Sequence, residues 1–189
     1  MTGVQTCALP IYTRGYSWEN DVFTQDVLIE FMQSLAPPLP FLTQAYEAIR
    51  SASAEMERCF AEVVRLDHAL AVKGANLTDR DELLRTVQLS EKSAPRVDVS
   101  RIKAELKRCR STGPVRRVGP KACAKVGIDL HGHTLARWWL GHVQHLLRSL
   151  NGLKMNNQLI SRMAIASFAR LQPSANLKYY CDIAAAAIL

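Results

Sequence analysis

The chain has 189 residues, of which 48% are hydrophobic and 22% charged. That is ordinary globular composition, and no apolar run approaches the roughly 18 residues a membrane-spanning helix needs. Cys7 apart, the cysteines Cys59, Cys109, Cys123 and Cys181 are far apart and form no CxxC pair. Such spacing argues against a zinc ribbon and fits reduced thiols in a cytoplasmic protein.

The net charge of +7 is unevenly spread. Between Arg96 and Lys125 ten Lys/Arg face two acids, Asp98 and Glu105, while the rest of the chain carries fourteen basic and fifteen acidic residues. Concentrated positive charge is the footprint of phosphate-backbone binding. A solvated helix face followed by a basic loop is the alternative. The residues that would meet nucleic acid are Arg101, Lys103, Lys107, Arg108, Arg110, Arg116, Arg117 and Lys121.

In chain order, Met1 to Ile11 is uncharged and aperiodic. It reads as the translation of a short-read sequencing adapter, and it lacks the basic start and longer apolar core of a signal peptide. We expect residues 1–11 to be unstructured and the genuine chain to begin upstream of Tyr12. Tyr12 to Tyr16 reads as the end of a strand. Thr24 then suits the N-cap of a helix whose apolar face is Val27, Leu28, Phe31, Met32 and Leu35. Pro37, Pro38 and Pro40 end it.

A longer helix is predicted from Thr43 towards Val72, with Ala45, Ile49, Ala52, Met56, Phe60, Val63 and Val64 on its inner stripe. Gly74 and Asn76 suit a cap and turn. Thr78 to Leu89 reads as another helix, with Asp79, Asp81 and Glu82 near its positive end. After a break at Ser90 to Pro95, Asp98 or Ser100 starts a helix through Ile102, Leu106 and Cys109. Ser111 to Gly119 is a loop punctuated by Gly113-Pro114 and Gly119-Pro120. His133 or Thr134 opens a strong helix to Leu150, closed by Asn151-Gly152. Asn157 to Leu171 and Asn176 to Leu189 are the last two. The reading is mostly α, with at most a short strand near the start. It divides into a strand end plus helix over 12–36 and a helical region over 37–189.

Two places carry candidate chemistry. Glu19 lies beside Asn20 and Asp21, where a carboxylate and amide could hold a divalent cation or orient its waters. A plain helix-start acid is the alternative. In the run Asp129-Leu130-His131-Gly132-His133-Thr134-Leu135 a glycine between histidines leads into a helix, whose mouth favours an anion. There the alternative is that His131 and His133 only cap and pack the helix start. His142 and His145, one turn apart, have no adjacent acid and make a poor zinc pair. His68 follows Asp67 and reads as a surface contact. The chain has no GxxxxGK[ST], GxGxxG or GxSxG, so P-loop, dinucleotide-binding and α/β-hydrolase readings lack support.

Arg14-Gly15-Tyr16-Ser17-Trp18-Glu19-Asn20-Asp21-Val22-Phe23 resembles the GYS-x-EN-x-x-F motif of the bacterial domain of unknown function 4435, and Gly132-His133-Thr134-Leu135 resembles its later G-[KH]-x-L motif. That family is similar to the TOPRIM domains of overcoming-lysogenization-defect nucleases. The resemblance covers most of residues 13–189, the middle on pattern alone. It implies the helical C-terminal part of an α/β TOPRIM-like, Mg²⁺-dependent nuclease, often paired with an ATPase in phage defence. It places the main metal ligands, a Glu and an Asp-x-Asp, upstream of Tyr16, so the chain by itself is expected to be inactive. Glu19 would join the metal site. His133 would face the phosphate where many members carry Lys, with Tyr16, Asn20, His131 and Gly132 in support. The alternative is a non-catalytic helical module that binds nucleic acid or protein through residues 96–125.

Overall fold

The computed structural model describes residues 18–35, 37–71, 80–90, 92–112 and 126–171. In order these form α1 (Trp18–Val22), α2 (Gln25–Ser34), α3 (Leu39–Ala71), α4 (Arg80–Thr86), β1 (Val87–Gln88), β2 (Arg96–Val97), α5 (Val99–Thr112), α6 (Val126–Asp129), α7 (Gly132–Asn151) and α8 (Asn157–Leu171). The fold is mostly α, as read from the sequence. The expectations for Tyr12 to Tyr16, for 1–11 and for a helix over 176–189 lie outside the described residues.

Local chemistry explains most boundaries. Thr24 is extended, and its hydroxyl accepts from the Val27 amide, so α2 begins where the N-cap was predicted. Pro40 does not break a helix here. It sits in the first turn of α3, where a missing N–H costs nothing. Asp98 caps α5 by accepting from the Arg101 amide. Gly152, at φ 62°, closes α7 in the left-handed conformation, with its amide on the Arg148 carbonyl and the Leu153 amide on the Leu147 carbonyl. A glycine is suited to that backbone and completes a Schellman-type cap.

Three elements differ from the sequence reading: α1 is a helix that was not predicted, α3 starts at Leu39 rather than Thr43, and the segment after α3 changes type. The predicted helix over 78–89 stops at Thr86. Val87 and Gln88 instead pair antiparallel with Val97 and Arg96. The Thr86 hydroxyl donates to the Leu83 carbonyl, and its own carbonyl accepts from the Asp98 amide, so the chain turns into the hairpin. Arg137 of α7 pins that hairpin by donating to the Val87 carbonyl.

The 33 residues of α3 extend about 50 Å at 1.5 Å per residue and form the spine. α2 packs between α3 and α8, and α7 packs against α1, α3, α4 and α8. The core runs through Phe31, Met32, Ile49, Phe60, Leu66, Leu83, Leu130, Trp138 and Trp139, all at most 1% exposed. Burying each such side chain contributes on the order of 1.5–3 kcal/mol. This core holds the short α1 and the start of α7 together, and that junction contains both candidate motifs.

Candidate functional site

Glu19 lies in the first turn of α1, and its side chain is only 5% exposed. From there its Oε1 meets His133 Nδ1 at 2.8 Å. His133 is the second residue of α7, and its side chain is 73% exposed. One partner is thus held inside the fold and the other is displayed on its surface. A carboxylate accepts and does not donate, so the contact puts the proton on Nδ1 and leaves Nε2 as the outward nitrogen.

Asn20 locks the same junction from the next position. It is 3% exposed, and its amide nitrogen donates to the Leu130 carbonyl at 2.9 Å and the Gly127 carbonyl at 3.2 Å. Those carbonyls belong to the turn into α7 and to α6 just before it. Adjacent residues of α1 therefore grip both sides of that turn, Glu19 through an imidazole and Asn20 through backbone. His131 stands at the N-cap of α7, makes no side-chain cap bond, and meets the His133 ring edge-on at 5.2 Å between centroids. Gly132 is buried at the first helical position. Thr134 and Leu135 amides both turn back to the His131 carbonyl. Asp21, the second acid of α1, is also buried. Tyr16 lies outside the described residues.

The structure thus brings Glu19, Asn20, His131, Gly132 and His133 together from two segments more than a hundred residues apart. No group of three or more His, Cys, Asp or Glu side chains suited to a metal occurs among the described residues. Mg²⁺ wants near-octahedral oxygen ligation, so the Glu19–His133 pair is not in itself a Mg²⁺ site. What the pair can do, when Nε2 is protonated as well, is present an oriented imidazolium beside the positive end of α7, a combination that suits an anionic oxygen.

The other histidines do separate things. His142 packs edge-on to Trp138, 4.3 Å between centroids, and is buried. Burial, and secondarily His145, lowers its pKa to about 4. Helical periodicity offered the signal that it shares a face with Trp138, since the two are four residues apart. His68 reaches Asp129 at 3.4 Å and so ties α3 to α6. Cys109 is buried, and burial followed by the Glu105 charge raises its thiol to about 11.

Of the predicted nucleic-acid contacts, Arg101, Lys103, Lys107, Arg108 and Arg110 lie on α5, and Arg116, Arg117 and Lys121 lie outside the described residues. No described helix is long and apolar enough to cross a membrane. No protein-family model, no curated protein and no solved structure matches the chain.

Proposed function

We propose that the Glu19–His133 pair is the phosphate-facing element of a TOPRIM-like nucleic-acid-cleaving protein. In this reading His133 contacts a substrate phosphate and Glu19 is its positioning residue. The observation that carries it is the 2.8 Å bond between a buried carboxylate and an exposed imidazole at the start of a 20-residue helix. Holding Nδ1 fixes the ring plane and points Nε2 outward. When Nε2 carries a proton it donates to a phosphate oxygen, and Glu19 balances the imidazolium behind it. The positive end of α7 adds to the same attraction. Asn20 keeps the turn that carries His133 in register with α1.

The resemblance to the domain of unknown function 4435 supplies the substrate class, nucleic acid, and a partner ATPase. It also implies Mg²⁺, which would polarise the phosphate. No group of three or more metal-type side chains occurs among the described residues, and the role proposed for this chain itself is phosphate recognition.

The test is a titration of ¹⁵N-histidine-labelled protein with a 5′-phosphorylated oligonucleotide, followed through the His133 imidazole resonances. Saturable shifts at His133 are expected, absent in His133→Ala and weaker in Glu19→Gln. Shifts confined to other residues, or a response undiminished in Glu19→Gln, would refute the reading.

A further inference from the structure

Helix α5 has two polar flanks, and their charge balance differs. On one, Arg101 faces Glu82 at 3.7 Å, and Arg108 grips Glu105, with 2.8 Å between Nε and Oε2. These four line a groove of about 660 Å³ in which two cations meet two acids. On the other flank, Lys103, Lys107 and Arg110 line a groove of about 450 Å³ together with Leu106 and Ser111. Its single acid is Glu62 of α3, which pairs with Arg110. None of the ion pairs among the described residues involves Lys103 or Lys107. Both are exposed.

We propose that this second flank is a sequence-independent track for the phosphate backbone of nucleic acid, formed by Lys103, Lys107 and Arg110. It narrows the binding-module alternative read from the sequence and does not rest on the Glu19–His133 reading. Positions 103, 107 and 110 are i, i+4 and i+7, so they form one stripe along the helix. The stripe is about 10 Å long at 1.5 Å per residue. That length spans roughly three phosphates of one strand as projected on the duplex axis, at about 3.4 Å each. Two lysines at i and i+4 also repel, costing the isolated helix about 0.2–0.5 kcal/mol, and no described carboxylate forms an ion pair with either of them. An anionic strand lying along the groove would relieve that repulsion.

Glu62 gives the surface a brake. Its pair with Arg110 is solvent-exposed on both sides, and such pairs contribute little, so a phosphate can displace it. Removing the acid should free Arg110 for the strand.

The experiment is fluorescence anisotropy of the full chain with a random-sequence oligonucleotide, single- or double-stranded, across a range of salt. Each phosphate contact adds roughly 0.9 to the slope of log affinity against log salt on duplex DNA. Lys103→Gln/Lys107→Gln should therefore shallow the slope by about 1.8. Glu62→Gln should tighten binding at low salt, and Arg101→Gln, on the balanced flank, should leave the slope unchanged. Circular dichroism confirms that each variant remains helical. The proposal fails if Arg101→Gln and the lysine pair weaken binding equally, if Glu62→Gln has no effect, or if an acidic polypeptide competes as well as the oligonucleotide, which would make the partner a protein. The lysine-pair change in slope should be the same in wild-type and His133→Ala backgrounds, so the two phosphate-binding readings stand or fall separately.

Discussion

Asn20→Ala tests the junction on which the site depends. In the wild type one buried amide donates to the Gly127 carbonyl of α6 and the Leu130 carbonyl of the turn into α7. Alanine removes both donors and leaves the buried Leu130 carbonyl without this one. Leaving a buried polar group unsatisfied costs about 1–3 kcal/mol. That is a substantial part of a typical folding free energy of about 5–15 kcal/mol. Asn20→Asp should cost more, about 3–5 kcal/mol, because it sets a carboxylate against two carbonyls in a buried place. Urea unfolding followed by the fluorescence of the buried Trp138 and Trp139 gives both values. At roughly 2 kcal/mol per molar urea, the alanine variant should unfold at a midpoint lower by about 0.5–1.5 M. Its His133 imidazole resonances should also broaden or move, since the turn carrying that ring is released. Midpoints for both variants within experimental error of the wild type would refute the claim that Asn20 clamps this turn.

Gly141→Val should destabilise by about 1–3 kcal/mol, because a Cβ at this position would lie 2.6 Å from Pro95 Cγ and 2.7 Å from Leu89 Cδ2; thermal unfolding checks it, and a gain in midpoint would contradict it. His142 has a folded pKa of about 4, below its ordinary value of 6.5. The unfolded chain therefore takes up the proton first as pH falls, and stability that is full above about 6.5 is lost progressively down to about 4, by at most about 3 kcal/mol. His142→Phe should flatten that part of the stability profile, and an unchanged pH slope in the variant would refute it. Cys109, buried and with its thiol raised to about 11, should resist alkylation at mildly alkaline pH until the chain is unfolded. Mass-spectrometric mapping reads this out, and labelling of native protein at the rate of a free thiol would contradict it.

The long helices were legible because each buries one stripe at helical spacing, and boundaries marked by Thr24 and Gly152 carry strong local signals. The hairpin of Val87–Gln88 with Arg96–Val97 was not legible. Two-residue strands are too short to show alternation, and pairing depends on Arg137 arriving from α7. Glu19 and His133 were legible as residues, but not as direct partners. Nothing in either segment reports the packing of α1 on α7 that brings their side chains into contact. On α5 the sequence showed the basic residues without their pairing, because Glu62 and Glu82 come from other helices.

The tautomer of His133 tests the central claim most directly. In ¹⁵N-histidine spectra of the neutral ring, two-bond couplings tell the protonated nitrogen from the bare one. A carboxylate held at 2.8 Å from Nδ1 requires the proton on Nδ1 and a bare Nε2 turned to solvent. The account predicts that pattern in the wild type, with a shift towards the ordinary solution mixture of tautomers in Glu19→Ala. A neutral His133 protonated at Nε2, unchanged when Glu19 is removed, would contradict it.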